Sequence, residues 1–311
     1  MKISRKYQEK YRGDKQFYNE HIRTFEGISA NVKLHDHIDN PMSSATSCLN
    51  VLGYLNQNKD EIIPFFKNFG VEIDEVIEFP SGVNYGGEVY DDVGPIVFEW
   101  IGPKVSSIEE GDIGGRGDKR TSVDAFFLAK INGKATQILV EWKFTEKFNK
   151  YHPDDYLHKF GGLKGVERAK RYSAVLARQK EEKTFPFCFS KKDDIGLFDF
   201  SYDPFCQLLR ITLLAKETTP TTLGDLKIEN YLVLHLVHSE NHKLLNVEKT
   251  HLKYSPGLLN RNLAGGNLHE IWQSLLTEKE KTHFFFGHWD KALKDLKDPT
   301  NYLKERYMQE A

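Results

Sequence analysis

Apolar residues recur at helical spacing from Ser43 to Gln57, where Leu49, Val51, Leu52 and Leu55 supply one face. A second helix is expected from Lys59 to Asn68, stopping before Gly70. The run Gly94-Pro-Ile-Val-Phe-Glu-Trp-Ile101 reads as a strand, and two more strands, Ser122 to Ile131 and Lys134 to Phe144, flank Asn132-Gly133. A polar segment with His152-Pro-Asp-Asp155 follows. Helices then fit Gly165 to Gln179 and Pro204 to Lys216, the second with Asp203 as N-cap and Pro204 at its first position. Tyr231 to Val237 is an apolar strand, Asn267 to Leu276 is helical, and Asp290 to Met308 supplies a polar helix or two. Helix, three strands, helix, strand is the order of an α/β or α+β protein with a mixed sheet flanked by helices.

Asn-Gly between two β-type runs is the strongest short hairpin signal, because a type I′ turn needs positive φ at both positions. Such a turn fixes register. If Ile131 pairs with Lys134, then Ala129 faces Thr136, Phe127 faces Ile138 and Ala125 faces Val140. Asp124 falls opposite Glu141, with Cβ atoms about 5 Å apart, and like charges so placed destabilise a sheet. Lys143 points to the same face as Glu141. Val123, Ala125 and Phe127 alternate with Phe126 and Leu128, and Ile138, Val140 and Trp142 alternate with Leu139, so both strands are apolar on both faces. Strands of this kind lie inside a covered sheet.

Two carboxylates and a lysine there need compensation. A divalent cation supplies it: Mg²⁺, or Mn²⁺ in its place, takes carboxylate oxygens and keeps several waters. It also polarises a phosphate and acidifies a bound water, while the lysine orients that water or stabilises charge developing on phosphate oxygens. The alternative is that Glu141 and Lys143 are solvated strand-end charges, with Asp124 paired to a basic loop residue.

Asp124 followed by a hairpin and Glu141-Trp-Lys143 resembles the PD-(D/E)XK signature of restriction-endonuclease-like enzymes, with Val123 in place of the usual proline. Four wider pieces are similar to a group of bacterial restriction-endonuclease-like proteins. They are Asn40-Pro-Met-Ser-Ser-Ala-Thr-Ser-Cys-Leu-Asn50, Thr121-Ser-Val-Asp124, Val140-Glu-Trp-Lys-Phe-Thr-Glu146 and Asp203-Pro-Phe-Cys-Gln-Leu-Leu-Arg210. The resemblance spans about Pro41 to Val237. It implies that Asp124 and Glu141 bind the metal, that Lys143 assists attack by water, and that the substrate is DNA. It also implies a nuclease-like core over residues 41–240; outside it, the charge and helix patterns give a basic N-terminal extension over 1–40 and a C-terminal helical extension of the same domain over 241–311.

Such nucleases often recruit a further acid, and Glu99, between Phe98 and Trp100, is a third metal ligand or a paired structural charge. Glu61 and Glu88 are weaker candidates, and Glu146 is a supporting or strand-end acid. Gln207 and Arg210 share a helix face, while Phe205, Leu208 and Leu209 form the buried stripe. In the resembling group a polar pair there looks toward the active site. Lys164, Arg168, Arg171 and Arg178, interleaved with Tyr172, form a basic stripe that suits phosphate contact or a solvated face. Arg116, Lys119 and Arg120 belong to the Gly-rich loop that begins at Gly111, a second set of phosphate-contact candidates.

The 311 residues carry 43 Lys and Arg against 45 Asp and Glu, so net charge selects no partner, although the charges are uneven. Seven Lys or Arg against three acids fall between Met1 and Thr24, whereas nine acids crowd Lys59 to Asp92. No window has the roughly 18 apolar residues of a membrane span, no secretory leader is visible, and three scattered cysteines suit a reduced cytoplasmic protein. His235, His238 and His242 mimic zinc spacing. However, His235 and His238 point to opposite faces of a strand, and no cysteine pair or HExxH accompanies them. Neither a GxxxxGKS phosphate loop nor a GxSxG elbow is present. The sequence thus points to a Mg²⁺-dependent DNA endonuclease of restriction or phage-defence type. The alternatives are an RNA-directed nuclease and a non-cleaving nucleic-acid-binding or interaction module. Cutting both strands at one site would call for a homodimer.

Overall fold

The computed structural model describes residues 5–23, 38, 40–80, 82–85, 88–90, 94–100, 102, 108, 121–147, 158–189, 195–253, 255–260 and 265–308. The Gly-rich loop with Arg116, Lys119 and Arg120, and the segment His152–Asp155, lie outside the described residues.

Six strands form a mixed central sheet: β1 (Glu75–Ile77), β2 (Ile96–Trp100), β3 (Val123–Ile131), β4 (Lys134–Lys143), β5 (Asn230–Val237) and β6 (Phe284–Gly287). β3 pairs antiparallel with β4 on one side, and on the other with β2 and β1 along different parts of its length. β4–β5 and β5–β6 are parallel. The sheet is therefore mixed, as the element order requires. β6 was not expected: the C-terminal region contributes a sheet strand as well as helices.

The hairpin register is the expected one, running from Ile131↔Lys134 to Ala125↔Val140. Asn132 and Gly133 adopt φ of 50° and 73°, as a type I′ turn demands. The Gly133 N–H donates to Asp74 Oδ2 at 3.0 Å, which ties the turn to the segment before β1.

Helices cover both faces. On one lie α1 (Ser44–Gln57) and α2 (Ile62–Lys67); on the other lie α3 (Gly162–Glu181), α4 (Phe205–Glu217) and α5 (Leu268–Leu275). Ser43 caps α1 through its side chain, which accepts from the Thr46 N–H. Asp203 does not cap α4. Pro204 occupies that position in helical backbone, and the Asp203 carboxylate instead pairs with Lys159 at 2.9 Å. The helix expected from Lys59 is a 3₁₀ turn followed by α2, with Glu61 buried between them. Glu61 accepts from the Tyr54 hydroxyl and the Lys297 N–H, both at 2.7 Å, so it is a structural acid.

The segment expected as polar C-terminal helices is broken into short pieces, and its Trp289, Leu293, Leu303 and Tyr307 are buried in the α1 side of the core. Arg306, only 2% exposed, is clasped there. Its guanidinium donates to the Gln16 and Pro41 carbonyls and to the Tyr7 and Tyr302 hydroxyls, and lies 4.9 Å from the ring centres of Tyr11 and Tyr307. Among the described residues the first helix, Arg5–Lys10, and the last, Tyr302–Tyr307, thus share one buried cation. Among the described residues, no helix is long and apolar enough to cross a membrane.

Candidate active site

The alternation expected along β3 breaks at Asp124. Phe126 and Leu128 face α3 and α4, whereas Ala125, Phe127 and Ala129 face α1. Val123 should follow Ala125, yet it packs with Phe126 and Leu128. Trp100 crosses over in the same way on β2, past Glu99, whose φ of 51° is left-handed. Both strands therefore twist locally, and the twist falls on the two acids. The pairs Phe98↔Ala125 and Trp100↔Val123 bracket Glu99 and Asp124 as opposite positions.

Beyond Ala125↔Val140 the next positions are Asp124 and Glu141, and the backbone pairing stops there. The Trp142 N–H donates instead to Asp124 Oδ2 at 2.6 Å. The expected juxtaposition of the two acids is present. Glu141 in turn is the partner of His235 on β5. Glu99, Asp124, Glu141 and His235 thus form one row across four neighbouring strands.

Lys143, only 5% exposed, lies between the acids: its Nζ is 2.6 Å from Glu141 Oε1 and 4.0 Å from Asp124 Oδ2. Burial works against its ammonium, but Glu141, and after it Asp124 and Glu146, more than reverse this and hold it charged. The Asp124 carboxyl is pushed well above the usual range by burial, then by Glu141 and Glu99, with Lys143 opposing. One lysine does not balance the negative charge.

A small cleft lined by Ala45, Cys48, Leu49, Phe98, Glu99 and Asp124 opens on the α1 side. Burial, and after it Asp124, Glu99 and Glu141, push the Cys48 thiol up, so it is not a ready thiolate nucleophile. The start of α1 is bound to the end of β4. Trp142 Nε1–H donates to Ser47 Oγ at 2.9 Å, and the Phe144 N–H donates to Ser44 Oγ at 2.8 Å. Glu146 also accepts from the Phe144 N–H, at 2.8 Å, and so closes the end of the strand.

Two hard carboxylates with excess negative charge suit Mg²⁺, which needs few protein ligands. Among the described residues, no group of three or more His, Cys, Asp or Glu side chains is arranged to hold a metal ion. Glu99 is near enough to raise the Asp124 pKa but does not complete such a group.

The other expected residues are more scattered. Arg210 Nε donates to Thr121 Oγ1 at 3.4 Å, three residues ahead of Asp124, whereas Gln207 stands half-buried on the same helix. Arg168 donates to the Lys159 carbonyl at 2.5 Å, and Arg178 is paired with Glu217. Arg171 is half-buried, Tyr172 is wholly buried, and the Lys164 side chain lies outside the described residues. Part of the basic stripe is therefore engaged in holding α3 to its neighbours. His238 binds the Tyr307 carbonyl on the α1 side, opposite to His235, so the strand divides the pair as expected.

His235 and His269 escaped sequence reasoning as members of this site. Their ring nitrogens, Nδ1 and Nε2, are 3.1 Å apart. The available signal was the β4–β5 pairing, which places His235 beside Glu141.

Residues 6–308 match a protein-family model described as Restriction Endonuclease associating with ARP. No curated protein and no solved structure matches the chain.

Proposed function

The chain belongs to the family described as Restriction Endonuclease associating with ARP, and on that premise we propose that it is a Mg²⁺-dependent DNA endonuclease of PD-(D/E)XK type, working in restriction or phage defence. The observation that carries this reading is the Lys143 ammonium buried between the Glu141 and Asp124 carboxylates. A lysine spaced two residues from a buried acid, facing a second acid across a hairpin, is costly as scaffold and useful for phosphodiester hydrolysis.

Asp124 and Glu141 would hold Mg²⁺ or Mn²⁺, which supplies Lewis-acid polarisation of a phosphate oxygen and an acidified water. Asp124 accepts the Trp142 amide at Oδ2, so its carboxylate is oriented by the backbone. Lys143 keeps its proton and donates hydrogen bonds, first to Glu141 and then to the attacking water or the developing phosphate charge. Ser44 and Ser47 fix the β4 end that carries Glu141 and Lys143, so the charges are preorganised. Arg168 and Arg171, with Arg116, Lys119, Arg120 and Lys164, are the candidates for contacts to the DNA backbone, and Gln207 and Arg210 those for support of the site.

Supercoiled plasmid and a structured RNA, each incubated with the protein in Mg²⁺ and in EDTA, test the reading. Metal-dependent nicking or linearisation of the plasmid is expected, and the folded Glu141→Gln variant should lose it. Unimpaired cleavage by that variant would show that Glu141 is structural, and cleavage confined to RNA would change the substrate.

A further inference from the structure

His235 is wholly buried. Its Nδ1 meets His269 Nε2 at 3.1 Å. His269 stacks on Phe286, with ring centres 4.2 Å apart, and Phe286 is the β6 partner of His235. The Nδ1 side of the ring therefore faces β6. On the other side of β5 from Phe286, the strand partner of His235 is Glu141 of β4. The His235 Nε2 is buried and, among the described residues, has no hydrogen-bond partner. An orphaned ring nitrogen beside a carboxylate is costly unless the two are joined when the site is at work.

We propose that His235 is a positioning residue for Glu141: its Nε2–H donates to the Glu141 carboxylate, directly or through one water, and fixes the orientation in which that carboxylate meets the metal. This inference rests on the nuclease reading above. It requires His235 to be the Nε2–H tautomer, with its Nδ1 accepting from the Nε2–H of His269. The proton on His269 Nε2 thus selects the tautomer, and Phe286 holds the His269 ring in place. Carboxylate ligands held by outer partners of this kind bind metal more tightly because less order is lost on binding. Lys143 reinforces the arrangement, because its charge opposes protonation of His235.

Titration calorimetry with Mn²⁺ on the full chain tests this without any turnover. His235→Phe fills the space without a nitrogen and should weaken Mn²⁺ binding about tenfold, whereas His235→Gln, which restores a donor near Nε2, should stay within about threefold of the parent. Equal loss in both variants would reduce His235 to packing, and no loss in either would overturn the proposal. If Glu141→Gln binds Mn²⁺ as well as the parent, the metal-site reading itself fails, whatever His235 does. Should His235→Phe not fold, ¹⁵N spectra of the parent's histidines decide the matter. A protonated Nε2 of His235 whose resonance moves on adding Mg²⁺, and does not move in Glu141→Gln, supports the proposal. A protonated Nδ1 or an unmoved resonance overturns it.

Discussion

Asp124 Oδ2 accepts the backbone N–H of Trp142 at 2.6 Å, so a carboxylate occupies the place a strand carbonyl would take, one step beyond the last backbone pair of the β3–β4 ladder. The side chain splits the hairpin where its two acids meet. Asparagine can accept the same hydrogen bond without the charge. Because burial, Glu141 and Glu99 raise the Asp124 pKa, its protonated form is favoured by folding. The associated stability is full below the unfolded value of about 4 and is lost as pH rises through the raised folded value. At pH 7.5 in EDTA, Asp124→Asn should therefore be more stable than the parent by about 1 kcal/mol, or about 2–4 °C in Tm. Calorimetric melts check this, and a lower Tm would mean that the ionised carboxylate is a net stabiliser.

Inserting one residue between Asn132 and Gly133 should leave a folded protein, because a bulge can absorb the extra residue. Asp124 and Glu141 would no longer stand opposite, and Mg²⁺ affinity should fall at least about tenfold, since metal sites tolerate only small errors of geometry. Calorimetry on parent and insertion variant makes the comparison. Equal affinity would put the metal elsewhere.

Burial and then His288 push the His269 pKa down to about 3, while burial, His269 and Lys143 lower that of His235. Both are folded as neutral rings, so their stability is full above the unfolded value of about 6.5 and is lost as pH falls toward the depressed values. Between pH 6 and pH 5 the parent should lose about 1 kcal/mol for each of the two rings. His269→Gln should remove one ring's share of that slope. Urea unfolding at pH 7.5, 6 and 5 measures it, and identical slopes in parent and variant would show that His269 titrates normally.

Ser47→Ala leaves the indole N–H of the fully buried Trp142 without its acceptor. The expected cost is about 1–3 kcal/mol, read as a lower urea midpoint at unchanged m-value. A variant as stable as the parent would mean that the indole finds another acceptor.

The hairpin was legible because Asn132-Gly133 admits few turns, and a two-residue turn transmits its register along both strands. Through that register the facing of Asp124 and Glu141 could be read from local sequence. The crossing-over of Val123 and Trp100 could not, since it arises between β2 and β3, from the left-handed backbone at Glu99. Nor does Phe284-Phe-Phe-Gly287 alternate, so its place as a strand depends on β5, some fifty residues earlier in the chain. Asp203 followed by Pro204 looked like a helix start, but the nearby Lys159 competes for its carboxylate. The C-terminal apolar residues hid because they are spread over several short elements, and none is long enough to show a period.

The Arg306 clasp has a consequence for the order in which the protein is made. Tyr7, Tyr11 and Gln16 leave the ribosome early, but the cation they surround arrives some three hundred residues later, after roughly 15–60 s of synthesis at ordinary elongation rates. The nascent N-terminal helix must wait for that long-delayed partner. β6, with the Phe286 on which His269 leans, is likewise made some fifty residues after the β5 strand it pairs with. The His235 side of the row therefore acquires its final neighbours only after Glu99, Asp124 and Glu141 are already in the chain.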